Sequence, residues 1–394
     1  MIVAVNVFFF VVALGLAVPI AVLFVECCAA VFSGRASGGE ELEDRPQVAV
    51  LIPAHDEATG IAATLETILP QLASTDRIVT IADNCSDETA EVARRLGVTV
   101  LERQDTERRG KGYAINFGLE FLADDPPEAI VMVDADCRVE PGTLDKIVRL
   151  AIASGRPVQA NYLMECPPEP TPKDSISALA FQVKNWVRPQ GLAQFGFPCL
   201  LTGTGMAFPW SVLRQVSLEG GNLVEDMQLG LDLAVAGYAP VFSADARVMG
   251  VLPQQEKAAK NQRTRWEHGH LQTLRSQVPR LLKAAIGQRR GDLLSLALDL
   301  CVPPLSLLVA IWVAMMGISL LVGFLGASWQ PAVLLAVQGV LLVTAIFGSW
   351  YKFGRETIPL QTLLSIPFYI LWKIPLYFGF FVRPEQNWVR TERD

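Results

Sequence analysis

The residues of this chain best suited to chemistry are carboxylates at the ends of apolar runs. Asp83 closes RIVTIAD, Asp134 and Asp136 form a D-x-D after AIVMV, and Glu225 and Asp226 stand side by side further along. Two carboxylates at i and i+2 at a strand end can share one hard divalent ion through oxygen ligands. Mg²⁺ or Mn²⁺ held this way typically completes its shell with substrate phosphates. A lone D-x-D also reads as a solvated turn, so its weight depends on what accompanies it. Downstream, Gln262, Arg265 and Trp266 fall at i, i+3 and i+4, one face of a helix. His268 and His270 lie two apart and do not share a helix face, which argues against a zinc pair.

The elements that must position these residues alternate between two periods. QVAVLIPA reads as a buried strand and EATGIAATLETILPQL as the helix after it. RIVTIAD is a second strand, SDETAEVARRLG a helix, VTVLER a third strand, GKGYAINFGLEFLADD a helix and AIVMVDADC a fourth strand. This rhythm predicts an α/β fold with a mostly parallel sheet, whose ligand sits beyond the carboxyl ends of the strands. The residues placed there are Pro53 to Glu57, Asp83 to Asp87, and Asp134 to Asp136. No G-x-G-x-x-G follows the first strand and no P-loop is present, which weakens dinucleotide and NTPase readings. PPEPTP at 167–172 reads as a stiff exposed loop.

Composition places the remaining residues. Hydrophobic residues make up 51% of the 394 and charged ones 19%, a shift toward a membrane protein. A net charge of −7 excludes a basic nucleic-acid binder. The seven cysteines, with no C-x-x-C, read as free thiols in a reducing compartment, so the polar domain is expected in the cytoplasm.

Residues 1–25 carry no charge and lack the basic start of a signal peptide, so a retained spanning helix is expected within 1–32. Two more spans are expected within 298–351, separated at Gly326 to Pro331. The piece 358–382 reads as interfacial or as a fourth span. Lys373 at its middle favours the interface, since a charge at mid-bilayer costs about 3 kcal/mol. The residues from 253 to 292 are dense in Lys and Arg and predict amphipathic helices at the cytoplasmic surface. Arg383, Arg390 and Arg393 put the C-terminus on the same side. The organisation expected is therefore a spanning helix at 1–32, a catalytic domain at 45–252, surface helices at 253–292, two spans at 298–351 and the ambiguous segment at 358–382.

Taken in order, Asp83, Lys111, Asn116, Asp134, Asp136, Glu225-Asp226 and Gln262-x-x-Arg265-Trp266 resemble the GT-A glycosyltransferases of family 2, in the Q-x-x-R-W branch. That branch includes cellulose, hyaluronan, chitin and exopolysaccharide synthases. The C-terminal LWKIPLYFGFFVRPEQNWVRTERD is similar to exopolysaccharide glycosyltransferases of the branch. The resemblance implies a GT-A domain with a Rossmann-like, mostly parallel sheet, inverting transfer from a UDP-sugar, and Mg²⁺ or Mn²⁺ as cofactor.

The resemblance also implies roles. Asp134 and Asp136 hold the metal, with Asp134 also near the donor. Pro53, His55, Glu57, Asp83, Lys111, Asn116 and Arg265 line the donor, Asp83 toward the uridine and Lys111 toward uridine or phosphate. Asp226 is the general base, a task that suits a carboxylate in a partly apolar site. Relatives often carry Thr-Glu-Asp where this chain has Val224-Glu225-Asp226. Arg265 clamps the diphosphate through its planar fork. Gly203, Thr204, Gly205, Glu225, Gln262 and Trp266 face the acceptor. Taken alone, Arg265 and Trp266 would also suit an interfacial anchor.

The partners expected are a UDP-sugar, a glycan or lipid-linked acceptor and membrane lipids, without nucleic acid. A second copy of the chain or polysaccharide export proteins are left open. The location expected is a bacterial-type inner (plasma) membrane, crossed several times, in exopolysaccharide or cell-surface polysaccharide synthesis. Two alternatives compete: a lipid glucosyltransferase of the ceramide type, and a non-catalytic membrane scaffold with a degenerate fold of the same kind.

Overall fold

The structure, a computed structural model, describes residues 2–34, 45–167, 169–218, 224–251 and 256–382. Leu223, Pro168, Arg383, Arg390 and Arg393 lie outside the described residues. The chain divides into two compact units. One takes Arg35–Pro167, Pro198–Gly269 and Gln386–Asp394, the other Met1–Gly34, Pro168–Phe197 and His270–Glu385.

The first unit is built on a sheet of β1 (Val48–Ala54), β2 (Arg77–Asp83), β3 (Thr99–Arg103), β4 (Ala129–Met132), β5 (Cys137–Val139), β6 (Val158–Glu165), β7 (Met206–Pro209) and β8 (Val241–Val251). The strand order is β3-β2-β1-β4-β7-β6-β8-β5. β1 lies parallel to β2 and β4, and β2 to β3. β7 runs antiparallel to β4 and β6, whereas β6 and β8 are parallel. β1 is apolar along its whole length and is buried throughout save Pro53, as a strand covered on both faces should be. Leu51, Ile81, Met132 and Phe208 from the sheet pack with Leu119 and Leu229 from its helices.

The apolar run AIVMVDADC is two elements, not one strand. β4 ends at Met132, and Cys137 opens β5, which pairs antiparallel with β8 at the other edge of the sheet. Asp134 and Asp136 therefore sit on a crossing between two sheet positions. Beta propensity runs on through Val133, but the two acids cannot be buried in a strand without partners, and the chain leaves the sheet there.

Among the described residues, the second unit holds three helices long and apolar enough to cross a membrane: Asn6–Phe32, Leu305–Phe324 and Gln330–Gly354. The second begins at Leu305 because Val302-Pro303-Pro304 ends a separate helix, Gly291–Cys301; a start at 298 would run through that break. The last is tied to the first through Gln338 Nε2, which donates to the Ala13 carbonyl at 2.8 Å. Lys352 Nζ donates to the carbonyls of Ala30, Val31 and Ser33 at 2.7–3.0 Å, closing the first helix's C-terminus.

The helical stretch Pro172–Gln194, expected inside the 45–252 domain, instead belongs to this unit. The proline-rich loop conceals a start signal: Thr171 caps the helix Pro172–Gln182 and Asp174 completes a capping box. The segment 358–382 forms a short turn of helix, Leu360–Leu363, and then Ile366–Val382, with Lys373 buried against the Tyr369 ring. The basic stretch expected as several surface helices is one helix, Glu256–Gln288.

Candidate active site

The carboxyl ends of β1, β2 and β4 are neighbours in the sheet, so their following loops meet. The loops after β1 and β2 are laced together. Asp56 Oδ1 accepts from the Ser86 amide at 2.6 Å and the Asp87 amide at 3.2 Å. Asp87 Oδ2 accepts from the Ala58 amide, and Thr89 Oγ1 from the Glu57 amide. Asp56 and Asn84 adopt φ of 53°, unusual for residues with a side chain, at the two turns that leave the sheet. His55 Nδ1 lies 2.7 Å from the Asp83 carbonyl, fixing its ring between the strands.

Asp83 is almost fully buried, and its Oδ1 accepts from Arg103 Nη1 at 2.6 Å and from Asn84. Arg103 in turn reaches Asp105 and the Arg108 carbonyl. Sequence reasoning did not find Arg103. Its signal was its place at the end of β3, directly across from Asp83 in register.

Lys111 begins the helix Lys111–Leu122. Its Nζ pairs with Asp134 Oδ1 and donates to the Gly203 carbonyl at 2.7 Å. Burial works against the ammonium, but Asp134, followed by Glu225 and Asp226, outweighs it and holds Lys111 above its ordinary pKa. Asn116 donates to Glu120 at 2.9 Å along the same helix.

Gly203 is held at φ 100°, and a Cβ there would stand 3.1 Å from Asp226 Oδ2. The glycine is thus what lets the Asp226 carboxylate approach the backbone that Lys111 binds. Glu225 and Asp226 lie in the first turn of the helix Glu225–Val235, where acids suit the dipole. Burial, reinforced by Asp226, pushes Glu225 up to about 7, with Lys111 opposing. Burial lowers Arg265, against the pull of Glu225, Asp134 and Asp226, so Arg265 faces the same acids. Gln262 is buried and Trp266 half-buried on the helix Glu256–Gln288.

Asp134, Asp136 and Cys137 offer ligand atoms all within 4.8 Å of one another. Burial pushes the Cys137 thiol up to about 12, and its Sγ donates to Asp136 Oδ1 at 3.3 Å. The two carboxylates supply oxygen donors, which suit a hard divalent ion. A second group, Asp56, Cys85 and Asp87, also lies within that spacing, but its carboxylates hold the two loops together.

A parallel sheet with an acidic loop at its switch point, continued by antiparallel strands, defines the GT-A glycosyltransferase fold. A family model described as glycosyltransferase-like family 2 matches residues 46–269, and the chain belongs to that family. It is 25% identical over 249 residues to the probable glycosyltransferase YdaM of Bacillus subtilis (strain 168), covering 59% of this chain and 57% of that protein. It is 25% identical over 262 residues to glucomannan 4-beta-mannosyltransferase 7 of Arabidopsis thaliana, covering 61% of this chain and 45% of that one. The chain thus spans about half the length of these relatives. Among solved structures, the mannosyltransferase PcManGT from Pyrobaculum calidifontis, in complex with GDP-Man and Mn²⁺, shares the fold with a TM-score of 0.56 at 20% identity. That match covers 93% of this chain and 99% of that one.

Proposed function

We propose that this chain is a membrane-bound, inverting, metal-dependent glycosyltransferase of the Q-x-x-R-W branch, moving a sugar from a nucleotide sugar to a glycan or lipid-linked acceptor. The observation that carries the reading is the meeting of Lys111, Asp134, the Gly203 carbonyl and Asp226 in one place. A leaving diphosphate needs positive charge as the glycosidic bond breaks, and an acceptor hydroxyl needs a base on the opposite side of the anomeric carbon.

Asp134 and Asp136 are the oxygen pair that would hold a divalent cation, and when bound the cation would neutralise the developing diphosphate charge. Lys111 is assigned to the phosphates rather than the nucleobase, because its partners belong to the D-x-D and the 202–205 segment. Arg265, drawn toward the same acids, supports it from the Q-x-x-R-W helix. Asp83, fixed by Arg103, takes the nucleoside end, with Pro53, His55 and Glu57 on the adjoining loop. Asp226 takes the acceptor proton, beside Gly203, Thr204 and Gly205, with Glu225, Gln262 and Trp266 completing the acceptor side.

The three apolar helices support a multi-pass location in a plasma membrane with the sheet domain in the cytoplasm. Synthesis of an exopolysaccharide or cell-surface polysaccharide fits that placement. The donor is taken as a UDP-sugar from the sequence pattern, whereas GDP-Man in PcManGT makes a GDP-sugar the rival. Nucleoside diphosphate release by the purified full chain in nanodiscs, across UDP-, GDP- and dTDP-sugars with Mg²⁺ or Mn²⁺, decides between them. One donor should support release that EDTA abolishes. Donor binding without release for every sugar and acceptor lipid would instead favour the scaffold alternative.

A further inference from the structure

Gln159 on β6 is fully buried, and its side-chain amide is saturated. Its Oε1 accepts from the Thr202 amide at 2.8 Å. Its Nε2 donates to the Thr204 carbonyl at 2.9 Å and to the Ala160 carbonyl at 2.8 Å. The backbone repeats the tie, since the Ala160 amide donates to the Gly205 carbonyl at 2.8 Å. A buried amide with donor and acceptor both engaged fixes its partners, because releasing either bond strands a polar group away from water.

The segment so fixed touches the reactive groups at successive residues. The Gly203 carbonyl accepts from Lys111 Nζ. A Cβ on Gly203 would stand 3.1 Å from Asp226 Oδ2, so the bare glycine leaves Asp226 its place beside the segment. Thr204 Oγ1 accepts from the Asp134 amide at 3.1 Å and is itself fully buried. Gln159 touches none of Lys111, Asp134 or Asp226 in these bonds, yet it holds both neighbours of the residue that meets Lys111 and Asp226.

We infer that Gln159 is a positioning residue for glycosyl transfer: its amide clamps residues 202–204 and so sets the spacing between the Lys111–Asp134 pair and the Asp226 carboxylate. The inference rests on the transferase reading above. Methionine or leucine would fill much the same space, and neither can hold the Thr202 amide and the Thr204 carbonyl together. The clamp acts on the spacing between two catalytic groups, so its loss belongs to the chemical step more than to donor affinity.

The test uses the full chain in nanodiscs. Gln159→Met keeps the length and volume of the side chain and removes all three bonds. Its kcat should fall about tenfold to a hundredfold while the KM for the donor stays within about threefold. Gln159→Glu keeps the acceptor for the Thr202 amide and loses the donor to the Thr204 carbonyl, and should show the same split. A purely structural residue would lower the yield of folded enzyme and leave both constants unchanged per folded molecule.

Hydrogen exchange supplies a readout independent of turnover. In the wild-type chain, the peptide holding Thr202–Thr204 should exchange as slowly as β7, and in either variant it should exchange faster. A folded variant with wild-type kcat and wild-type exchange would overturn the inference. Fast exchange of Thr202–Thr204 in the wild-type chain would overturn it even if neither variant folds. Absence of turnover with every donor would instead count against the transferase reading, and exchange would still judge the clamp.

Discussion

Each unit of this chain buries an ion cluster, and the two are built differently. In the helical unit, Arg188 Nε donates to Glu26 Oε2 at 2.7 Å and its Nη2 pairs with Asp299. The three side chains are 7%, 4% and 6% exposed, and Lys184 adds a second positive charge that acts on Asp299. Acids and cations balance there. In the sheet unit, the Lys111 side chain is 19% exposed and Asp134 31%. Among the described residues, Asp134, Asp136, Glu225 and Asp226 outnumber Lys111 and Arg265. A closed, balanced cluster joins three helices and has no need of a further charge. An open cluster with surplus acid leaves room for added positive charge and for an anionic ligand that such a charge would bring.

That contrast can be broken from either side. The largest effect expected is at Asp136. Asp136→Ala removes an oxygen from the D-x-D and should cut metal-dependent nucleotide release about a thousandfold, with little change in melting temperature. A variant that lost stability instead would make this cluster structural. The reverse is expected of Arg188→Met, which strands Glu26 and Asp299. It should cost about 3–5 kcal/mol of stability, read by denaturation in detergent, and spare turnover per folded molecule. Adding Glu26→Gln and Asp299→Asn should return much of that loss.

The smallest effect sharpens the comparison through pH. The folded chain holds the Glu225 proton more tightly than an unfolded one, whose glutamate titrates near 4.5, because burial raises Glu225 to about 7. The stability linked to this group is therefore full below about pH 4.5 and falls as pH rises through 7. The slope is no steeper than about 1.4 kcal/mol per pH unit. Glu225→Gln should flatten it, as measured by melting temperature between pH 5 and pH 8.

The strand-and-helix rhythm from Val48 to Met132 was legible in the sequence, because buried parallel strands write themselves as continuous apolar runs. The break after Met132 was not. AIVMVDADC carries one apolar signal across two elements, and only the pairing of Cys137–Val139 with β8 separates them. The helices at 172–194 were hidden behind PPEPTP, whose prolines read as loop although Thr171 caps a helix.

At the site, the types and order of the acids pointed to the residues that the fold brings together. Asn116 was grouped with them by motif, and in the fold it donates to Glu120 on its own helix. Arg103 and Gln159 act through cross-strand geometry, which a linear pattern does not encode. Glu26, Arg188 and Asp299 are separated by more than a hundred residues at each step and join only in the fold.

The claim at the centre is that Asp226, held against Gly203, is the base of a metal-dependent glycosyl transfer. Asp226→Asn keeps the size of the side chain and removes its basicity. In nanodiscs with the donor that supports nucleotide release, it should bind that donor with Mn²⁺ as the wild-type chain does and turn it over about a hundredfold to ten-thousandfold more slowly. Wild-type turnover in a folded, donor-binding Asp226→Asn would contradict the account.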